Sequence, residues 1–151
     1  MDHLLRFAAW VDRLSDAFGA LARWSVAASC FISAGNAVVR HVAGISSNGM
    51  LEIQWYLLAV CVMLGAPKVL RLNEHVRVDL FYGRWSARGQ ATIDIAGILL
   101  FLFPTTLLLL WLSAPMAWGM FVSGEMSSNA GGLLRWPAMA MIPLGSAMLL
   151  L

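Results

Sequence analysis

The sequence predicts an all-α integral membrane protein, a single membrane domain over residues 1–151 with one amphipathic helix and four transmembrane helices. Of the 151 residues, 60% are hydrophobic and only 12% are charged, whereas soluble domains carry about 25% charged residues. Several uncharged stretches approach or exceed the roughly 20 residues that cross about 30 Å of hydrocarbon. Polar segments rich in Gly, Ser and Asn separate these stretches. A soluble globular core is therefore excluded.

Composition also bears on several kinds of site. The ten cationic residues are spread along the chain, mostly beside apolar segments, so there is no basic footprint for nucleic acid. Cys30 and Cys61 both lie in apolar stretches, without a second Cys or a His at metal-ligand spacing. We expect no disulfide framework, metal, cofactor or catalytic site.

Residues 2–22 are predicted to form an amphipathic helix. At 100° per residue, its large apolar side chains fall within about 120° of arc. These side chains are Leu4, Phe7, Trp10, Val11, Leu14, Phe18 and Leu21. Charged residues occupy the opposite side, so we expect a helix in the membrane plane. Packing of the same stripe on a partner protein is the alternative, and both can hold.

The first span is predicted over residues 23–42. The sixteen uncharged residues between Arg23 and Arg40 reach only about 24 Å, so both arginines must extend toward water. Ser25, Ser29 and Ser33 recur every four residues on one face, where small side chains allow close helix approach. Asn36 should face protein because lipid offers it no partner. We interpret this face as a packing surface rather than a transport site.

The second span is predicted over residues 51–70, with Trp55 as an interfacial aromatic anchor near its start. Glu52 leaves two hypotheses open. It makes a polar contact near the outer surface, to a partner or within the bundle, or it is a helix N-terminal carboxylate favoured by the dipole. A polar island from Lys68 to Arg88 follows, carrying five of the ten cations. An alternation over residues 75–80 is typical of extended chain.

The third span is predicted over residues 91–113. No charge occurs from Ile95 to Gly124, a length of about 45 Å as a straight helix. The helix must tilt, bend or continue along the interface, with Pro104 and Pro115 as natural bending points. We expect residues 115–122 to form an interfacial extension.

The fourth span is predicted over residues 136–151. Pro137 suits a first helical turn, where its missing N–H leaves no hydrogen bond unmade. The run is short and ends without a basic anchor. A basic tail beyond it, or an unusually short span, would account for this.

Charge sets the predicted orientation. Eight cations fall on one side of the predicted topology and only Arg40 and Arg135 on the other. Because cytoplasmic loops carry the excess of Lys and Arg, the N-terminus and the polar island are predicted to be cytoplasmic. Both Gly/Ser-rich loops then face outward.

Several motifs together resemble a known family. They are Glu52-Ile-Gln-Trp55, Asn73-Glu-His-Val-Arg-Val-Asp79, Gly124-Glu-Met-Ser, Trp136-Pro137 and Pro143-Leu-Gly145. Their order resembles the small membrane subunit, of DctQ type, of tripartite ATP-independent periplasmic (TRAP) transporters. The stretch His75 to Asp79 is the most specific part, and the resemblance covers the chain from about Trp10.

The resemblance implies a multi-pass subunit of the bacterial inner membrane that braces a larger elevator-type membrane subunit. It also implies a periplasmic substrate-binding protein and sodium-driven uptake of small organic acids, with no catalytic residue in this chain. Arg77 and Asp79 would then pair with the large subunit and set its register. A solvated loop touching lipid headgroups is the equal alternative for these two residues.

Two other membrane functions would need ionisable residues at particular depths. A stand-alone proton-coupled exporter needs a carboxylate deep in the membrane, but Glu52, Asp94 and Glu125 all fall at span ends. A haem-bearing respiratory anchor needs two histidines meeting at one iron, but His41 and His75 fall on opposite predicted sides. An anchor or assembly subunit of another inner-membrane complex remains the alternative.

Overall fold

The computed structural model describes residues 2–45, 47–74 and 82–151, and four helices lie in this part of the chain. They are α1 (Asp2–Ala43), α2 (Asn48–Arg71), α3 (Ala87–Ser123) and α4 (Trp136–Leu150). The first three are long and apolar enough to cross a membrane, and α4 is a shorter apolar helix of 15 residues. The all-α membrane class is thus confirmed. The predicted extended stretch at 75–80 lies outside the described residues.

Helix α1 runs unbroken for 42 residues, about 63 Å at 1.5 Å per residue. The predicted amphipathic helix and first span are therefore one helix, and nothing interrupts it between residues 22 and 23. Its buried side is made of small and polar residues, among them Ser15, Gly19 and Ala22. Phe7 and Trp10 of the apolar stripe stay exposed. Placement of this half in the membrane plane stays a prediction.

The main helix contacts follow the order α1, α2, α4, α3. Helix α4 thus lies between α2 and α3, which suits a helix that is apolar on all sides. Small residues bring the backbones together: a Cβ on Gly65 of α2 would lie 3.3 Å from the Ala22 Cβ of α1. Gly145 of α4 sits directly against the backbone of Met63 in α2.

Helix α3 contains one irregular turn. Residues Ile98–Leu102 form a π-helical turn between α-helical Ala87–Gly97 and Phe103–Ser123. Pro104 lies two residues after this turn, and a proline ring clashes with the carbonyl four residues earlier in a regular α-helix. The wider turn accommodates that clash. The α-helix continues past Pro115 to Ser123, so the predicted irregularity occurs near Pro104 and not at Pro115.

The C-terminal part of α3 packs on α4. The ring of Phe121 meets that of Trp136 edge-on, with centroids 5.2 Å apart. The segment predicted as an interfacial extension is therefore a helical part of the bundle, so the helix continues beyond the predicted span end at Ser113. The sequence could not show this because the α4 partner is distant along the chain.

Substitution of Gly145 by Ala should separate α2 from α4. The new Cβ would meet the Met63 carbonyl oxygen and lie 2.8 Å from its carbonyl carbon, and overpacking of this kind costs about 1–3 kcal/mol. We expect a lower thermal midpoint for the detergent-solubilised chain, followed by circular dichroism. Gly119→Ala is the matched control, because nothing lies within 4 Å of its Cβ position. Equal midpoints for the two variants would contradict this packing.

Candidate functional site

The first polar cluster lies at the end of the bundle where α1 connects to α2 and α3 connects to α4, here called the outer end. Its centre is the carboxylate of Glu52 in α2. That carboxylate accepts hydrogen bonds from the Ser127 hydroxyl, the Asn129 side-chain amide at 2.8 Å and the Leu133 backbone N–H at 2.7 Å. One side chain of α2 thus holds three points of the loop between α3 and α4.

The loop has a hairpin-like form of its own. The Arg135 N–H donates to the Glu125 carbonyl at 3.0 Å, and the Ser127 N–H donates to the Leu133 carbonyl at 2.9 Å. Gly124 and Gly131 have φ values of 62° and 71°, a left-handed conformation that glycine adopts without steric cost. These two glycines let the chain turn so that its polar groups face Glu52.

Two further side chains of α2 reach the same loop. Asn48 donates to the Ala130 carbonyl at 3.0 Å, and the Tyr56 hydroxyl donates to the Leu134 carbonyl. These bonds place the two Gly/Ser-rich loops at one end of the bundle, as the predicted topology requires. Glu52 makes its contacts within the bundle, one of the options considered from sequence, and its proposed contact with a partner subunit stays a prediction.

The second polar cluster lies at the opposite, inner end and joins α1 to α2. The Lys68 ammonium is 3.0 Å from Asp16, and the Arg71 guanidinium is 2.6 Å from Asp16 and 3.0 Å from Asp12. Arg71 also donates to the Asp12 carbonyl oxygen at 3.0 Å. The hydrogen bond from Lys68 is the largest cause that lowers the pKa of Asp16 below its ordinary value.

The predicted depth of the two clusters in the membrane explains why their charged groups have partners within the protein. Glu52 and Lys68 are 16 residues apart in α2 (68 − 52), about 24 Å at 1.5 Å per residue. The hydrocarbon is about 30 Å thick. With α2 across the membrane as predicted, both charges would lie close to the lipid boundary, where an unpaired ionic group is costly. Contacts with the neighbouring segments would then replace the missing water.

The serine face predicted on α1 is only partly buried within the chain. Ser25 is buried and donates to the Ala22 carbonyl at 2.7 Å, Ser29 is half-buried, and Ser33 is exposed. Asn36 is buried, and its Oδ1 accepts no hydrogen bond from the part of the chain that the structure describes. The seam with α2 extends further toward the N-terminus than predicted, to Ser15.

The remaining predicted contacts are Trp55, Arg77 and Asp79. Trp55 lies about one helical turn after Glu52 in α2 and is exposed at the outer end. An interfacial aromatic anchor is expected to be exposed in this way. Arg77 and Asp79 lie outside the described residues. Among those described, no group of three His, Cys, Asp or Glu side chains is arranged to hold a metal ion.

The inner cluster was not foreseen from the sequence. In the sequence, Asp12 and Asp16 belong only to the charged side of the amphipathic helix, and Lys68 and Arg71 belong to the eight cations on the predicted cytoplasmic side. The signal that could have revealed the pairing is spacing. Two acids four residues apart in one helix can face two cations three residues apart in its antiparallel neighbour.

Replacement of Glu52 by Gln tests the outer cluster. The side-chain oxygen of glutamine can still accept hydrogen bonds. Its NH₂ group stands where the second carboxylate oxygen was, and as a donor it cannot accept the hydrogen bonds that this oxygen accepts. We expect faster hydrogen exchange for backbone amides 127–134, with Leu133 most affected. Glu125→Gln removes only the exposed ion pair with Arg135 and should leave the Leu133 amide protected. Unchanged exchange in the Glu52 variant would show that the carboxylate does not hold the loop.

Replacement of Asp16 by Asn tests the inner cluster. Lys68 and Arg71 share this carboxylate, so its loss should let the N-terminal turns of α1 move away from α2. Spin labels at Ala17 and Leu72, with both native cysteines replaced, should give a broader distance distribution. Because the charges are partly exposed, 1 M salt, with a Debye length of about 3 Å, should broaden the parent distribution too. Asp2→Asn, at the start of α1, should change neither the distance distribution nor its response to salt. A distance distribution that is the same with and without the Asp16 carboxylate would refute the role of Asp16 in holding α1 against α2.

Comparison with known proteins gives one match. Residues 29–151 match the family described as "Tripartite ATP-independent periplasmic transporters, DctQ component". No curated protein and no solved structure matches the chain. The matched region includes α2, α3 and α4 with both loops of the outer end, and hence Glu52 and all its partners. The chain therefore belongs to the DctQ family and is a membrane subunit of a tripartite ATP-independent periplasmic transporter.

Proposed function

We propose that this chain is the small permease subunit that braces a larger elevator-type membrane subunit in the bacterial inner membrane. The complex would take up a small organic acid, delivered by a periplasmic binding protein and driven by an ion gradient. Family membership over residues 29–151 carries the proposal. The chain itself would have no enzymatic activity.

The arrangement of the polar clusters supports a bracing role. Glu52 binds the loop between α3 and α4, and Lys68 and Arg71 bind α1, so both ends of α2 are tied to other parts of the bundle. Such ties resist relative movement of the helices. A subunit that stays fixed while its partner moves needs this kind of rigidity.

Exposed apolar surface supports a membrane partner. Leu99, Leu100 and Phe101 of α3 are 62–73% exposed, and the first half of α3 has few contacts with the other described helices. Lipid can cover such a surface, and so can the large subunit. Ser33 adds a small exposed side chain on α1, where another backbone could approach closely.

Co-purification tests the proposed assembly. The chain would be expressed with its neighbouring reading frames and purified in mild detergent through a tag on this chain. We expect a stable complex with a large multi-span protein, and uptake of an organic acid by vesicles only when both membrane subunits and the binding protein are present. A haem spectrum, or a different stable partner, would instead support an anchor subunit of another complex.

Substitution of Ser33 by Leu probes the interface on α1. Because Ser33 is exposed within this chain, the larger side chain should leave the thermal midpoint of the isolated subunit unchanged. If another helix packs there, recovery of the large subunit in co-purification should fall. Ala34→Leu, one residue and about 100° around the helix, is the matched control and should retain full recovery. Equal recovery from both variants would exclude Ser33 from the interface.

A further inference from the structure

A groove runs between α1 and α2 at the inner end, on the surface that faces away from α4. Its volume is about 650 Å³, within the range of about 300–1,000 Å³ typical of small-ligand sites. Gly19, Ala22, Gly65 and Ala66 lie along it. These small residues form its floor, where Ala22 and Gly65 bring the two helices close together. No α4 residue lines it.

The walls of the groove are apolar and exposed. Val26 of α1 and Val62 of α2 line it and are 47% and 55% exposed. Both lie within the predicted spans, toward the hydrocarbon. The groove therefore has an apolar floor and walls along the part that the acyl region of a bilayer would surround.

Charged groups lie at the end of the groove away from Val26 and Val62. Lys68 lines it, but its ammonium is bound to Asp16 at 3.0 Å, and Glu74 adds one carboxylate at the mouth. Arg23 also lines the groove, is exposed, and makes no ion pair or hydrogen bond within the described residues. One guanidinium thus remains available where the apolar walls end.

We propose that this groove binds an anionic phospholipid of the cytoplasmic leaflet, with its phosphate on Arg23 and an acyl chain along Val26 and Val62. Basic pockets between transmembrane helices on the cytoplasmic side suit anionic headgroups. A guanidinium can bind a phosphate through two parallel hydrogen bonds. Apolar walls below a free cation match the two parts of a lipid, whereas a transmembrane helix of a partner would need no charge at this level.

Lipid retention measures the proposed site. The full chain would be reconstituted in vesicles of equal parts phosphatidylglycerol and phosphatidylcholine, extracted in mild detergent and examined by native mass spectrometry. The parent chain should retain phosphatidylglycerol in preference to phosphatidylcholine. Arg23→Gln should lower that preference about fivefold, the factor expected for one arginine near an anionic surface. An equal mixture of both lipids on the parent chain would overturn the proposal.

Two further variants distinguish lipid binding in this groove from general electrostatic attraction between the chain and anionic lipid. Arg40→Gln removes an exposed arginine from the opposite end of the same helix and should leave the preference unchanged; a loss equal to that of Arg23→Gln would overturn the proposal. Val62→Trp fills the groove without changing charge and should reduce the total retained lipid. Normal retention in that variant would also overturn it.

A partner helix in the groove is the competing occupant. Cys61 lines the groove, so its reaction with a lipid-soluble maleimide reports access to it. If the groove holds lipid, Cys61 should react equally in the chain alone and in the complex with the co-purified membrane partner, and the complex should still retain phosphatidylglycerol. Protection of Cys61 together with loss of the lipid in the complex would assign the groove to the partner and refute the proposal.

Discussion

Helix α2 is the element on which the rest of the bundle depends, because polar groups at both of its ends bind neighbouring segments. Between lipid tails, apolar contact gives no net drive for helix association, so close packing and hydrogen bonds must supply it. Glu52 supplies bonds to the α3–α4 loop, and Lys68 and Arg71 supply ion pairs to α1. Both α1 and α4 pack directly on α2. Two helices, α1 and α4, thus meet at α2. Helix α3 is attached to α2 through its loop and through α4.

Close backbone approach and polar ties have separate roles in this arrangement. Gly65 and Gly145 let α1 and α4 come near α2, which increases dispersion contacts but does not select one register along the helices. The polar clusters do select a register, because Asp16 can meet Lys68 and Arg71 only at one alignment of α1 and α2. Glu52 similarly holds the loop between α3 and α4 at one position along the axis of α2. The small residues permit the packing, and the charged residues specify it.

The sequence predicted what depends on local pattern and missed what depends on distant partners. The all-α membrane class and the shared side of the two Gly/Ser-rich loops follow from hydropathy and charge, and the structure agrees with both. The partners of Glu52 lie 75 to 81 residues away along the chain, so its position could be predicted but not its bonds. The local pattern around Asp12 and Asp16 likewise gives no sign of their partners, which lie in the next helix. Pro104 indicated an irregularity, but the form it takes, a π-helical turn at Ile98–Leu102, depends on how the backbone relieves the proline clash.

The order of the helices restricts where a partner subunit can bind. Because α4 lies between α2 and α3 and only Leu144 in it is exposed, α4 offers little surface. Helices α1 and α3 form the two edges of the array. The α3 edge is apolar and uncharged from Ile95 to Gly124, so it suits contact with hydrocarbon or another apolar helix along its whole length. The inner half of the α1 edge combines an apolar groove with Arg23, which has no ion-pair partner among the described residues, so it suits the lipid boundary. On these grounds the α3 edge is the better surface for a large membrane partner, and the inner half of α1 is the better surface for lipid. The exposed Ser33 leaves the outer half of α1 open to a partner helix.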